Sequence, residues 1–379
     1  MSDLEILRNR IDEIDKELVA IFEKRMETVL QIAQYKKKNN LEIFNKAREL
    51  EVIRKNVSRL ENKGFKEVAE NFLNKVMEIS RNIQKEYIRG EDSFTQENGQ
   101  GIEDDLMVIR VGYQGEPGSF SEEALIQHFG DKVNKYNARE FQDIFEALKN
   151  YEIDYGVLPI ENSSTGGIAE VYDLLRKYGF YIVGERCIKV EHNLASVKDA
   201  KLEDIKEVYS HPQAFQQCSE FFKDYPNLRL IPFKNTAISA KYINEEKSKI
   251  KAAVCSRKAA EIYDLEIIKE NINYNKCNYT RFIIIGRDLE IKKECNKISI
   301  VTTISHIPGA LYKILGFFAK NNLNMMKIES RPIIDKSWEY FFYIDFSGNL
   351  NDEAVKKSIE AIKETSSYFQ LLGNYVGHN

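Results

Sequence analysis

The stretch Gly156-Val-Leu-Pro-Ile-Glu-Asn-Ser-Ser-Thr-Gly-Gly-Ile-Ala-Glu-Val-Tyr-Asp-Leu-Leu175 organises the rest of the chain. A short apolar strand, Tyr155 to Leu158, is expected to break at Pro159. A carboxylate, an amide and three hydroxyls follow, then Gly166 and Gly167. An amphipathic run comes next, with Ile168, Val171, Leu174 and Leu175 at helical spacing. Small polar side chains and bare N–H groups between a strand end and a helix start lie at the mouth of a sheet, where open α/β domains bind small anions. A serine-rich cap with glycines for the turn is the plainer account of the same residues.

Outward from this stretch, residues 107–287 alternate strands with helices. Strands are expected at Met107–Tyr113, Tyr181–Val190, Glu207–Tyr209, Ala252–Cys255 and Phe282–Gly286, and helices at Ser121–Phe129, Phe141–Leu148, Pro212–Phe222 and Thr236–Asn244. That is an α/β arrangement, and the gaps between strands suit two lobes around a cleft. Residues 297–379 read strand, helix, strand, strand, helix, strand, the split βαβ plan of a ferredoxin-like domain. Residues 1–90 contain no proline and read as three helices, and 91–106 are a polar, glycine-containing linker. The fold class is therefore multidomain: all-α, then two-lobed α/β, then α+β.

Over 379 residues the net charge is −4 with acids and bases interspersed, so no basic field argues for nucleic acid. The five cysteines are scattered and none forms a Cys-x-x-Cys pair, which points to a reducing compartment with neither a disulfide framework nor a zinc site. No run approaches the ~20 apolar residues of a membrane span, and the charged N-terminus lacks a signal-peptide core. A cytoplasmic protein acting on something small is expected.

The first helix carries a seam of Leu4, Leu7, Ile11, Ile14, Leu18, Ile21, Val29 and Ile32. It is too long for a small core to cover and should pair with a second copy. Arg25 and Lys36 fall within roughly 20° of one another on that seam. Ser80 and Gln84 interrupt the apolar stripe of the third helix. Charges on a seam are expensive to bury unless they meet an anion, so a dicarboxylate pocket fits better than polar positions that set a coiled-coil register. Arg8 lies roughly 26 Å along the axis from Arg25 and reaches such a pocket only in a partner.

Leu7-Arg8, Ile14-Asp15, Arg25, Lys36, Arg48-Glu49 and Ser80…Gln84 together resemble the all-helical chorismate mutase family. The resemblance implies a cofactor-free Claisen rearrangement of chorismate to prephenate. Arg25 and Arg48, with Arg8 of the other protomer, would hold the two carboxylates. Lys36 and Gln84 would face the breaking ether oxygen, and Glu49 a hydroxyl. Asn45 stands where the family commonly has Asp.

Gly115-Glu-Pro-Gly-Ser119-Phe-Ser121 leaves a strand and opens a helix, without dinucleotide spacing. With Pro159-Ile-Glu-Asn-Ser163, His211-Pro-Gln-Ala214, Asn235-Thr-Ala237 and Thr280-Arg-Phe282 it resembles the prephenate dehydratase family over residues 107–287. The resemblance implies a periplasmic-binding-protein-like cleft and decarboxylative loss of water from prephenate to give phenylpyruvate. Ser119, Ser121, Glu161, Asn162, Ser163, Ser210, Gln217, Thr280, Arg281 and Phe282 would line the site. Either Thr280 or Glu161 would supply the proton, and Arg281 would hold a carboxylate or lower the local cost of charge.

Gly309-Ala310-Leu311-Tyr312 and Glu329-Ser330-Arg331-Pro332 resemble the ACT domain attached to such dehydratases. That resemblance implies an L-phenylalanine site between two such domains, in a homodimer or homotetramer. The expected protein is a bifunctional enzyme of phenylalanine biosynthesis. An arogenate-preferring dehydratase, a non-catalytic metabolite sensor and a helical segment serving only dimerisation are the rivals.

Overall fold

A computed structural model describes residues 3–39, 41, 46–89, 109–304, 307–333, 336 and 338–378. The chain divides into two compact units, Met1–Asp104 and Asp105–Asn379. The first holds α1 (Asp3–Asn39), α2 (Lys46–Val57) and α3 (Lys66–Arg89). The second half of α1 buries Met26, Val29 and Ala33 with Val57 of α2 and Val76 of α3. Its first half does not follow: Leu4, Leu7, Ile11, Ile14, Leu18 and Ile21 are each at least 50% exposed.

The second unit begins with β1 (Arg110–Gln114), α4 (Phe120–Phe129), β2 (Asn134–Ala138), α5 (Phe141–Lys149), β3 (Tyr155–Asn162), β4 (Gly166–Gly167), α6 (Ala169–Tyr178) and β5 (Tyr181–Lys189). The chain then crosses to a second lobe of β6 (Asn193–Ser196), β7 (Glu207–Ser210), α7 (Pro212–Gln217), α8 (Ser219–Lys223), β8 (Arg229–Pro232), α9 (Thr236–Glu246), β9 (Lys251–Cys255), α10 (Arg257–Ile262) and β10 (Glu266–Lys269). It returns as β11 (Tyr279–Gly286), central in the first lobe between β5 and β3. The expected helix Pro212–Phe222 is two, broken at Cys218, and β2, β6, β8, β10 and α10 add to the expected elements.

The C-terminal part is β12 (Lys297–Thr303), α11 (Ala310–Lys320), β13 (Met325–Pro332), β14 (Tyr340–Ser347), α12 (Glu353–Thr365) and β15 (Phe369–Tyr375), in the expected order. Its sheet joins that of the first lobe at one pair, Gly373 of β15 beside Ile182 of β5. A Cβ on Gly373 would lie 2.1 Å from the Ile182 carbonyl oxygen, so only glycine lets these backbones meet. The two parts also share a core: Leu158, Ile160, Tyr172, Ile283 and Ile285 pack with Val301, Phe341, Tyr343 and Tyr375.

The first-lobe sheet thus has two faces. Val157, Phe282 and Ile284 face α4, while Leu158, Ile283 and Ile285 face α6 and the C-terminal domain. The expected break at Pro159 does not occur, because β3 runs on to Asn162. Instead the register slips: Phe282 lies opposite Pro159 but Arg281 opposite Glu161. Such a bulge reverses which way later side chains point. Ile160 and Glu161 both turn to the α6 side, and Asn162 turns to the other.

His128 of α4 packs against Gly184, where a Cβ would come within 2.7 Å of its ring. Burial, aided by Arg186 and Lys292, pushes its pKa down to about 4 from 6.5. The unfolded chain therefore binds a proton that the folded one refuses between those values. This stability is present above pH 6.5 and is lost as pH falls toward 4. Calorimetry should show the second unit unfolding at lower temperature across that window, and His128→Gln should flatten the slope. An identical slope in the variant would exclude His128 as its source.

Candidate active sites

In the helical unit, Arg25 donates to Ser80 Oγ at 2.5 Å and lies 3.5 Å from Met77 Sδ. Both of these partners, found among the described residues, are neutral. Burial holds the guanidinium pKa below its ordinary value. Ser80, Arg81 and Gln84 are buried beside it on α3, and Gln84 Oε1 has no partner among the described residues. Lys36 is half-buried on α1. Arg48 departs from expectation: it is exposed and pairs with Glu51 of its own helix at 2.8 Å. Asn45 and the side chain of Glu49 lie outside the described residues. Arg8 is exposed, far along α1. Arg81 gave no signal beyond its place next to Ser80.

In the α/β unit, β3 and β11 end side by side with Asn162 opposite Thr280. Asn162 Oδ1 accepts from the Ser164 N–H at 2.9 Å, which fixes the amide orientation. Its Nδ2 then donates to Thr280 Oγ1 and to Asn278 Oδ1, each at 2.9 Å. A hydroxyl oxygen already accepting from an amide keeps its own hydrogen to give, and no acceptor for it exists among the described residues. Ser163, on the same turn, accepts from the Tyr279 N–H at 2.9 Å.

The second lobe closes on this turn. Gln213 Nε2 donates to Thr165 Oγ1 at 2.9 Å and Ser256 Oγ to the Gly118 carbonyl at 2.9 Å. Gln217 is buried, its Oε1 2.8 Å from His192 Nε2. Burial lowers the His192 pKa from its ordinary value. Ser119 caps α4 by accepting from the Glu122 N–H, and Ser121 is buried in the first turn.

Four expected residues are elsewhere. Phe282 is core, packed with Val111 and Leu125. Ser210 is fully buried and gives its hydrogen to the Val254 carbonyl at 2.8 Å. Glu161 and Arg281 are on the opposite sheet face from Thr280, Arg281 by the ordinary alternation of β11 and Glu161 because of the bulge in β3. There Arg281 meets Asp345 at 2.7 Å and Glu161 and Glu185 at 3.2 Å each. Lys297 reaches Glu185 at 2.8 Å, and Lys327 reaches Glu161 at 2.8 Å. Burial alone would raise the Asp345 carboxyl, but Arg281 and Lys297 outweigh it and hold its pKa below the usual range. Glu185, Lys297, Lys327 and Asp345 carried no motif and were invisible in the sequence. Asn278 was legible only as a neighbour of Thr280.

On the C-terminal domain, Gly309 opens α11 with φ +79°, and Leu311 and Tyr312 are exposed. A hollow of about 380 Å³ there is lined by Ile304, Ile307, Pro308, Leu311, Trp338 and Tyr340. Within one chain it does not include Glu329 or Arg331. Glu329 packs on Gly167, and Arg331 pairs with Asp173 of α6 at 2.9 Å. Ser330 and Pro332 face outward.

Fold and site together define a multidomain enzyme: a two-lobed α/β cleft fused to a ferredoxin-like domain and preceded by a helical unit. Three family models match in order: chorismate mutase type II over residues 7–85, prephenate dehydratase over 111–290 and the ACT domain over 299–364. The bifunctional chorismate mutase/prephenate dehydratase of Buchnera aphidicola subsp. Acyrthosiphon pisum is 33% identical over 382 residues, covering 99% of this chain and 96% of that one. Arogenate dehydratase/prephenate dehydratase 1 of Arabidopsis thaliana is 36% identical over 283 residues, covering 70% and 72%. The solved prephenate dehydratase of Arthrobacter aurescens in complex with L-Phe is 29% identical, with a TM-score of 0.65, covering 70% of this chain and 90% of that one. The chain belongs to the bifunctional chorismate mutase/prephenate dehydratase family. It is an enzyme of phenylalanine biosynthesis with an ACT regulatory domain. No helix among the described residues is long and apolar enough to cross a membrane.

Proposed function

We propose that the chain converts chorismate to prephenate at Arg25, Lys36, Ser80 and Gln84, and prephenate to phenylpyruvate at Thr280. L-Phenylalanine would be the feedback effector of its ACT domain. The domain limits are 1–90, 107–287 and 297–379, with 91–106 as linker.

The observation that carries the dehydratase assignment is the Asn162 amide donating to Thr280 Oγ1. Prephenate loses its ring hydroxyl as carbon dioxide departs and the ring becomes aromatic. The leaving oxygen needs a proton, and a hydroxyl held as an acceptor by Asn162 has one to give. Glu161, engaged with Arg281 and Lys327, is not available for that step.

In the mutase, the half-buried Arg25 guanidinium, held by neutral groups among the described residues, supports a pocket for a small dianion. Positive charge there stabilises the ether oxygen as it gains electrons, and the pocket folds the substrate into its reactive shape. Arg8 and the bare apolar first half of α1 suit a second copy, giving a homodimer or homotetramer; Arg48 and Glu49 would complete the site there.

The purified chain should turn chorismate into phenylpyruvate, more slowly with phenylalanine present. Accumulation of prephenate alone would remove the dehydratase half. The plant relative motivates a second assay with arogenate; preference for it would reassign the substrate without moving the site. Arg25→Met should lower mutase kcat/KM about 10- to 100-fold. The helical unit should unfold no earlier, because a poorly solvated cation is removed. A destabilised unit with unchanged mutase kinetics would make Arg25 structural.

A further inference from the structure

The feedback site and the dehydratase site occupy different domains, and the buried charges between them form a continuous path. Lys327 lies on β13, two residues before Glu329 of the effector segment and on the same side of that strand. Its Nζ is 2.8 Å from Glu161 Oε1 and 3.9 Å from Glu329 Oε2. The Glu161 contact lacks hydrogen-bond alignment, so charge alone holds it. Glu161 pairs across the bulge with Arg281, the chain neighbour of Thr280, and is itself the neighbour of Asn162. A second contact runs in parallel. Glu329 packs on Gly167, where an added Cβ would lie 3.3 Å from its carboxyl carbon, and Gly167 is paired with Glu161.

Two carboxylates, Glu161 and Glu329, therefore share one ammonium group. An effector whose carboxylate comes to Lys327 beside Glu329 weakens its hold on Glu161. Any displacement of Glu161 moves Asn162, and Asn162 fixes the Thr280 hydroxyl. We propose that Lys327 of the ACT domain is a positioning residue for dehydration. Through Glu161 it sets the Asn162–Thr280 pair, and phenylalanine inhibits by drawing it toward the effector segment. The effector half rests on the reading of phenylalanine given above.

The test uses the full chain with Lys327→Met and Lys327→Arg. Dehydratase kcat and KM, phenylalanine binding by calorimetry and the unfolding temperature of the second unit as a folding control are measured for each. Lys327→Met should lower dehydratase kcat about tenfold at unchanged KM. It should also raise the half-inhibitory phenylalanine concentration at least about tenfold while phenylalanine still binds. Lys327→Arg should restore both, since the charge returns. Wild-type kcat and wild-type inhibition in Lys327→Met would overturn the proposal. So would a loss of kcat that Lys327→Arg fails to rescue, which marks a packing defect. A wild-type chain indifferent to phenylalanine would overturn the effector half together with the reading beneath it. The kcat of Lys327→Met still decides the positioning half in that case.

Discussion

Thr280→Val should lower dehydratase kcat by about 10²- to 10⁴-fold, the range for losing a positioned proton donor. KM for prephenate should change little, because the hydroxyl is needed as the leaving oxygen gains charge and not for binding. Valine fills the volume of threonine, and Thr280 is 9% exposed, so the surrounding structure should hold. The Asn162 amide loses one of its acceptors but keeps Asn278 Oδ1 at 2.9 Å. Mutase turnover in the same chain serves as an internal control and should not move. Thr280→Ser should recover most of the rate. A Thr280→Val chain that makes phenylpyruvate at the wild-type rate would remove Thr280 from the chemistry.

Arg281→Leu should be the most destabilising single change in the second unit, while affecting substrate affinity little. Its guanidinium sits among Asp345, Glu161 and Glu185, with its side chain only 12% exposed. Removing it leaves those carboxylates with Lys297 and Lys327 alone. Breaking a buried ion pair from one side costs about 3–5 kcal/mol, a large fraction of a domain's stability. The unfolding temperature of the second unit should fall while KM for prephenate stays within about threefold. Adding Asp345→Asn should recover part of the loss, because the stranded carboxylate goes with the cation. If Arg281 instead held a substrate carboxylate, the variant would be stable and its KM would rise by orders of magnitude.

Much of the architecture was readable without coordinates. Helical periodicity gave the N-terminal unit, and the alternation of strands with amphipathic runs gave the α/β unit. The strand–helix–strand–strand–helix–strand order gave the ferredoxin-like plan of the C-terminal domain, while its likeness to the ACT domain rested on the resemblance of residues 309–312 and 329–332. These are local signals, carried by spacing along the chain. Arg25, Ser80 and Gln84 were legible because polar groups stood out on apolar helix faces, and the structure brings these three together. Arg48 was expected beside them and is exposed instead. The bare half of α1 was also foreseeable, since no segment within the first ninety residues could cover so long a seam.

The dehydratase site shows where sequence reading stopped. Strict alternation from Val157 would put Glu161 on the same sheet face as Thr280. One extra residue between Pro159 and Glu161 reverses the parity. Asn162 goes to the Thr280 side, and Glu161 goes with Arg281 to the face that meets the C-terminal domain. Nothing in Pro-Ile-Glu-Asn-Ser marks that bulge, because it arises from how β3 pairs with β11, more than a hundred residues later in the chain. The residue types thus determined that a carboxylate, an amide and a guanidinium would stand beside Thr280. The pairing of distant strands decided which of them meets the Thr280 hydroxyl and which ties the strand to the ACT domain.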